Sequence, residues 1–265
     1  MAENQNNDYI RALLDGLPVE QSAEQLSKDL YDTCGFEAGG QLKPLKSIVA
    51  QVGGVSSGGF FQPSPLTLEP EDATTSVFAE TTERPNLDGW TATAQADYKA
   101  FQEALGDSQY YPYSLYHFVH AYGSRVAYGK HEDASLFDRN RVLAAVTACR
   151  AKADGANTFL LVKGAISGIQ KYIYHNIKAE QIGDAEKTAK RLRGRSFLVS
   201  FINQVIAEYL VEQLGLEQAN VLFVGGGHFT LLLPEEQAVQ DDLKELLKKV
   251  NLGLLKNVGP QLSLL

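Results

Sequence analysis

The sequence lacks the features of a membrane-embedded or secreted protein. No apolar run approaches the roughly 20 residues that a membrane-spanning helix needs. Only two cysteines occur, Cys34 and Cys149, without the spacing of metal ligands, which favours a reducing compartment. The first eight residues are polar and acidic, so we expect no signal peptide there. These absences predict a cytoplasmic protein that does not bind membranes.

Positive charge is scarce in the first half of the chain. Residues 1–150 contain 11 Lys and Arg against 20 Asp and Glu, whereas residues 151–265 contain 13 against 12. An acidic surface is poorly suited to a phosphate backbone, so we expect contacts with nucleic acid or nucleotide in the second half. The cations there cluster between Lys187 and Arg195. A solvated helix face, or salt bridges to an acidic partner, is the simpler interpretation of this cluster.

The composition predicts an α+β protein of two domains, residues 1–150 and 151–265. The first is expected to be mostly helical, with an irregular insert rich in glycine and proline between about residues 34 and 86. Apolar residues recur with helical spacing in four stretches. These are residues 8–33, which a Gly-Leu-Pro break divides into two short helices, and residues 94–105, 113–122 and 136–150.

The second domain has a β-α-β-β-α pattern that is typical of a ferredoxin-like sheet. Only residues 259–265 remain to supply the sixth element, so the edge of the sheet is expected to be incomplete. In the long second helix, the apolar residues between Phe197 and Leu210 are predicted to share one face. The predicted elements are a strand at 158–164, helices at 168–177 and 186–214, a hairpin at 220–234 and a helix at 235–250.

Two glycine-containing junctions are the candidate nucleotide-binding residues. A strand turning into a helix at Ser167 and Gly168 would direct backbone N–H groups toward a phosphate or ribose. The turn at Gly226 and Gly227 would let a base approach the backbone, and His228 could stack on it or donate a hydrogen bond. In the alternative, Ser167 only caps its helix and the glycines only form a tight hairpin.

Three motifs resemble the Csm-type CRISPR polymerase family, the large palm-domain subunit of type III CRISPR effector complexes. They are Ala165–Gln170, Arg191–Phe197 and Gly225–Phe229, in the family's order. The segment Ser135–Arg141 more weakly resembles the end of the family's N-terminal HD-type helical domain. The resemblance implies a degenerate HD-like domain followed by the first, ferredoxin-like palm.

The departures from the family pattern concern both of its metal sites. No His-Asp dipeptide occurs, and Asp138-Arg139 stands where the family has Asp-His; a guanidinium cannot ligate a cation. His117, His120 and His131 could rebuild a metal site, but for His117 and His120 aromatic packing or surface exposure is the favoured alternative. We therefore expect the HD nuclease to be lost.

The polymerase chemistry of the family needs carboxylates that hold two metal ions. Ala165 replaces the aspartate of the strand-end motif, and the family's Gly-Gly-Asp-Asp hairpin is absent. Asp241 and Asp242 are expected on a solvated helix face. The sequence therefore predicts no catalytic and no metal-binding residues, and a protein that is inactive alone.

The resemblance implies a split or truncated large subunit that contributes a non-catalytic palm half to an assembly making cyclic oligoadenylates. Its implied partners are other type III effector subunits, crRNA and target RNA, and a second palm with Gly-Gly-Asp-Asp on another chain. ATP with Mg²⁺ or Mn²⁺ would bind in that assembly, and no cofactor would bind this chain alone. Lys187, Arg191 and Arg195 would contact phosphate or RNA. Two alternatives remain: a catalytically dead scaffold subunit and a free-standing nucleotide-binding module.

Overall fold

The protein divides into two compact units of mixed α and β structure. The computed structural model describes residues 2–19, 26–47, 59–66, 80–155, 157–174 and 185–265. The units are Met1–Thr147 and Ala148–Leu265. Among the helices described, none combines the length and the apolar character needed to cross a bilayer.

The first unit contains the predicted helices. Ser27 caps the helix Lys28–Cys34 because its hydroxyl accepts a hydrogen bond from the N–H of Leu30 at 3.3 Å, and Gly35 ends this helix at a positive φ of 70°. Pro112 stands in the first turn of the helix Tyr111–Gly123, where its missing N–H is not needed. The helices are α1 (Ala2–Leu14), α2 (Lys28–Cys34), α3 (Asp88–Leu105), α4 (Tyr111–Gly123) and α5 (Leu136–Lys152), of which α5 extends into the second unit.

The first unit also contains sheets that the sequence did not predict. Its strands are β1 (Leu42–Pro44), β2 (Phe60–Phe61), β3 (Glu80–Thr81), β4 (Val126–Tyr128) and β5 (His131–Ser135). Strands β1, β4 and β5 form one antiparallel sheet in that order, and β2 pairs with β3. Strands of two to five residues are too short to show an alternating pattern, which is why "mostly helical" was an incomplete prediction.

The second unit is one four-stranded antiparallel sheet with its helices. Its elements are β6 (Phe159–Ser167), α6 (Ile169–Tyr174), α7 (Ala185–Gln213), β7 (Val221–Gly225), β8 (His228–Pro234), α8 (Gln237–Asn257) and β9 (Ser263–Leu264). The strands lie in the order β7-β8-β6-β9. The expected incomplete edge was wrong, because β9 pairs with β6 through Ile166 and Leu264. The predicted end of α6 at residue 177 lies outside the described residues.

The core of the second unit lies between the sheet and α7 and α8. Phe229, Leu231 and Leu233 of β8 are buried, as are Leu210 of α7 and Leu246 of α8. The single apolar face predicted for α7 was wrong: some of its large apolar residues point into the core, whereas others are exposed. The exposed ones are Phe197, Leu198, Phe201 and Val205.

Candidate nucleotide-binding site

The end of β6 and the β7–β8 turn lie side by side at one end of the sheet. The N–H of Ile166 donates to the carbonyl of Gly227 at 2.8 Å, and Ala165 is paired with His228. The structure therefore brings the strand–helix junction at Ser167 and Gly168 next to the hairpin turn. The five candidate nucleotide-binding residues form one cluster, and their binding of nucleotide stays a prediction.

The glycines of this cluster serve different purposes. A Cβ at Gly168 would lie 1.8 Å from the carbonyl oxygen of Gln261, and one at Gly227 would lie 2.2 Å from Cδ1 of Ile169. Close packing against the main chain thus requires glycine at position 168. At position 227 the end of the Ile169 side chain could move aside, and the positive φ of 81° is what favours glycine. At Gly226, with φ of 58°, nothing lies within 4 Å of the corresponding point. The open space that a ligand would need is therefore at Gly226.

The turn itself has the geometry of a tight hairpin. Gly225 and His228 are paired across the two residues Gly226 and Gly227, both at positive φ, as a type I′ turn requires. The main chain of His228 is further held by α7, because Nδ2 of buried Asn203 donates to its carbonyl at 2.8 Å. Sequence reasoning missed Asn203, although an amide within an apolar helical stretch is the signal that could have indicated it. The imidazole of His228 is exposed, and the main chain that carries it is held in place by the turn and by Asn203.

The sheet surface beside the turn carries two further side chains that sequence reasoning missed. Phe223 is 56% exposed, and its ring lies against Gly225, where a Cβ would be 2.9 Å from Cζ. Lys163 of β6 is exposed and is paired with Thr230, which is also the partner of Phe223. An exposed aromatic ring next to a cation is suited to stacking on a base near a phosphate. The signal was Phe223 itself, a large apolar residue on the outward side of an alternating strand.

The basic residues of α7 are not equivalent. Nη1 of Arg195 donates to the carbonyls of Tyr172 at 3.3 Å and Ile173 at 2.9 Å, and so stabilises the last turn of α6. Lys187 and Arg191 lie earlier on α7 with exposed side chains. Arg195 therefore has a structural role that the sequence did not predict, and the phosphate or RNA contacts of all three residues stay predictions.

The donor atoms at this end of the sheet do not fit a pair of divalent metal ions. The side chains available are the methyl group of Ala165, the hydroxyl of Ser167 and the imidazole of His228, whereas Mg²⁺ prefers carboxylates. In the described parts of the chain, no group of three His, Cys, Asp or Glu residues could hold a metal. Asp241 is exposed on α8, and its pKa is lowered by a hydrogen bond from Lys244 and a second one from Gln237.

A buried charge cluster occupies the first unit at the position where the family resemblance suggested a metal ligand. Nη1 of Arg139 lies 2.5 Å from Oδ2 of Asp15, and the hydroxyl of Tyr31 donates to the other carboxylate oxygen at 2.8 Å. The guanidinium also lies near the rings of Tyr31, Phe36 and Tyr128, at 5.6, 5.3 and 4.7 Å from their centroids. Burial and the bond to Asp15 raise the pKa of Tyr31. These contacts indicate that the guanidinium of Arg139 has a structural role at this position.

His117 and His120, two of the histidines considered for a rebuilt metal site, pack against aromatic rings. His117 meets Tyr113 and Tyr116 edge-on, with centroids 4.7 and 5.5 Å apart, and His120 lies 4.5 Å from Phe137. This geometry favours the packing alternative over a rebuilt metal site.

Residues 158–265 match the family model described as Csm1 subunit domain B. This segment belongs to the Csm1 domain B family. Its first and last residues enclose β6 to β9, so the domain includes the whole candidate site. Other parts of the chain are also similar to Csm-type subunits of known proteins.

One curated relative is the single-strand-specific deoxyribonuclease Cas10/Csm1 (subtype III-A) of Streptococcus thermophilus, which is 38% identical over 104 residues. A solved Csm1–Csm4 cassette in complex with cA4 is 26% identical, with a TM-score of 0.50 over 63% of this chain. A Csm1–Csm4 cassette in complex with pppApA covers 97% of this chain with a TM-score of 0.57, and at 19% identity this likeness concerns the fold alone. The chain spans 13% of the curated relative and 24% and 32% of the two Csm1 structures.

Proposed function

We propose that the second unit is a ferredoxin-like palm that supplies the non-catalytic half of a nucleotide site in a type III CRISPR effector complex. The observation that carries this proposal is the meeting of Ser167 and Gly168 with the Gly226–His228 turn beside Ala165. The site offers backbone groups, a hydroxyl and an imidazole to a nucleotide, and no carboxylate to a metal. It is built for binding and not for two-metal chemistry.

The element order and the strand order of the sheet support the assignment of the second unit as a palm. The element order is β-α-β-β-α-β, in which the first strand, β6, lies in the middle and the last, β9, pairs on its outer side. This topology sets the end of the first strand beside the turn between the second and third strands. The five candidate residues occupy this position.

Metal-dependent chemistry in this proposal belongs to a second palm that lies outside residues 1–265. That palm would carry Gly-Gly-Asp-Asp, hold Mg²⁺ or Mn²⁺ and face this one, with ATP between them. Oligoadenylate as the ligand class is supported by the Csm1–Csm4 cassette that was solved in complex with cA4. The product of the paired palms would be a cyclic oligoadenylate.

The partners would be the other subunits of the effector complex, with crRNA and target RNA. A Csm4-type subunit is supported by the Csm1–Csm4 cassettes that resemble this chain. The chain would occupy a structural and regulatory position within the complex.

The first unit is proposed to be a degenerate HD-like domain without the deoxyribonuclease activity named for the Streptococcus thermophilus relative. The buried pair of Arg139 with Asp15 supports this, because a carboxylate engaged by a guanidinium is no longer offered to a cation. Its function would be to complete the fold of the subunit.

A second candidate function is that of a scaffold subunit that never meets an active palm. Ala165 favours it, since a subunit under no catalytic demand does not need an aspartate there. Co-purification from the native host distinguishes the two candidates. A co-purifying polypeptide with a Gly-Gly-Asp-Asp hairpin, together with repeat-derived small RNA, supports the synthase half. Small RNA and effector subunits without such a polypeptide support the scaffold, and a chain that purifies without RNA or subunits contradicts both.

A further inference from the structure

The outward face of α7 exposes a row of large apolar side chains. Phe197 is 72% exposed, Phe201 is 56% exposed and Val205 is 45% exposed. Their spacing of four residues aligns them along one side of the helix. The rings of Phe197 and Phe201 stack, with centroids 6.3 Å apart. A contiguous exposed row of this kind marks an interaction surface.

Opposite charges flank this row on the same side of the helix. Lys190 lies 11 residues before Phe201, and Glu212 lies 11 residues after it; both side chains are exposed. Eleven residues are about three helical turns, so the three side chains share one stripe. Each charge is then about 16 Å along the axis from Phe201, in opposite directions.

We infer that α7 pairs antiparallel with α7 of a second copy of this chain. With a two-fold axis at Phe201, Phe201 meets its own equivalent and Phe197 opposes Val205 of the second copy. The same register places Lys190 opposite Glu212 at both ends. A two-fold interface requires this kind of self-complementarity, in which residue i meets j and j meets i.

The charge pattern distinguishes a second copy from nucleic acid as the occupant. Aromatic rings beside lysines are also typical of surfaces that bind single strands. On α7, however, the aromatic row continues toward Glu208 and Glu212, which would repel a phosphate backbone. An antiparallel copy of the helix places a charge of opposite sign opposite each end of the stripe.

The inferred dimer is weak. A single pair of helices buries less than the roughly 1,200–2,000 Å² of a stable interface. We therefore expect the purified chain to interconvert between monomer and dimer with concentration, independently of any nucleotide.

Sedimentation equilibrium of the full 265-residue chain over a broad concentration series tests the inference by charge exchange. Lys190→Glu and Glu212→Lys should each weaken self-association by about fivefold or more, because each places like charges opposite one another. The double variant should restore it, since the pairs are re-formed with reversed sign. Lys256→Glu, an exposed substitution on α8, is the matched control and should change nothing. A wild-type chain that stays monomeric, or a double variant as weak as the singles, overturns the inference.

Disulfide trapping provides a second readout. Phe201→Cys in a Cys34→Ser background should oxidise to a covalent dimer, because the two-fold axis brings the introduced thiols together. Phe223→Cys, at another exposed aromatic residue of the same unit, should remain monomeric. Equal cross-linking of both variants contradicts the inferred register. Binding of single-stranded RNA that Lys190→Glu abolishes, without any dimer, would identify nucleic acid as the occupant and also overturn the inference.

Discussion

Nη1 of Arg139 and Oδ2 of Asp15 lie 2.5 Å apart with both side chains buried, although the two residues are 124 positions apart in the sequence. The pair connects the end of α1 to the start of α5. Oδ1 of Asp15 accepts from Tyr31, and Nδ2 of the adjacent Asn140 donates to the main-chain carbonyls of Leu13 and Asp15 at 2.8 and 2.7 Å. The charges are therefore fully engaged within the protein.

Removal of one partner from this pair should strongly destabilise the first unit. Asp15→Ala leaves a buried guanidinium without its carboxylate, and we expect a loss of about 3–5 kcal/mol in the free energy of unfolding. Urea denaturation followed by circular dichroism measures it. Lys244→Ala, which breaks the exposed pair with Asp241 at 2.8 Å, is the control and should leave the free energy of unfolding close to that of the wild type. Equal losses for the two variants would mean that the buried pair is not a structural centre.

The glycines of the candidate site should differ in their tolerance to alanine. Gly168→Ala places a methyl group against the carbonyl of Gln261 and should lower stability by more than the roughly 1–2 kcal/mol that a left-handed residue costs by itself. Gly226→Ala incurs only that conformational cost, because no other atom lies within 4 Å of the position of the added Cβ. Thermal unfolding of the two variants makes the comparison. A Gly226→Ala variant as unstable as Gly168→Ala would contradict the assignment of open space to Gly226.

Phe223 should contribute to nucleotide affinity in the assembled complex. If its ring stacks on a base, Phe223→Ala should weaken binding of an ATP analogue by about 5- to 150-fold, which corresponds to the roughly 1–3 kcal/mol of one stacked base. Leu161→Ala removes a similarly exposed apolar side chain from β6 and should leave the affinity unchanged. Isothermal titration calorimetry gives both dissociation constants. A normal affinity for Phe223→Ala would assign that ring to protein contacts instead.

The two cysteines should differ sharply in reactivity. Burial raises the pKa of the Cys149 thiol to about 12, although a hydrogen bond from Asn220 opposes this shift, whereas Cys34 is partly exposed. Since the thiolate is the reactive form, Cys149 in a Cys34→Ser variant should resist labelling at pH 8 until the protein is unfolded. The raised pKa also means that the folded state binds a proton that the unfolded state loses first, so this contribution to stability declines as the pH rises above about 9. Rapid labelling of folded Cys34→Ser protein would show that Cys149 is not enclosed as described.

The second unit could be predicted from the sequence because its elements are separated by glycines and have clear periods. The strand at Phe159, the turn at Gly226 and the bounds of α7 were placed within a few residues, whereas α8 continues to Asn257, beyond its predicted end at residue 250. The proximity of Ser167 to that turn was not predicted, because it depends on the pairing of β6 with β8 that the structure shows. Periodicity did not divide the many apolar residues of α7 between a buried and an exposed face, because Phe197 and Phe201 have the same local pattern as core residues.

The first unit was less predictable for a physical reason. Strands β4 and β5 depend on pairing and not on an alternating pattern; β5 begins with the polar run His131-Glu-Asp, which has no strand signal. The partner of Arg139 could not be identified either, since Asp15 is one of many acidic residues in the first half and only the tertiary fold brings the two together.

The most direct test of the central claim measures cyclic oligoadenylate made from ATP with Mn²⁺ or Mg²⁺, by chromatography and mass spectrometry. The purified chain alone should give no product, because its palm offers no carboxylate to a metal. Addition of the co-purifying effector subunits, including a palm with Gly-Gly-Asp-Asp, should produce it. Product from the chain alone would contradict a non-catalytic palm half, and the absence of product from a complex that contains an intact second palm and target RNA would contradict its role in synthesis.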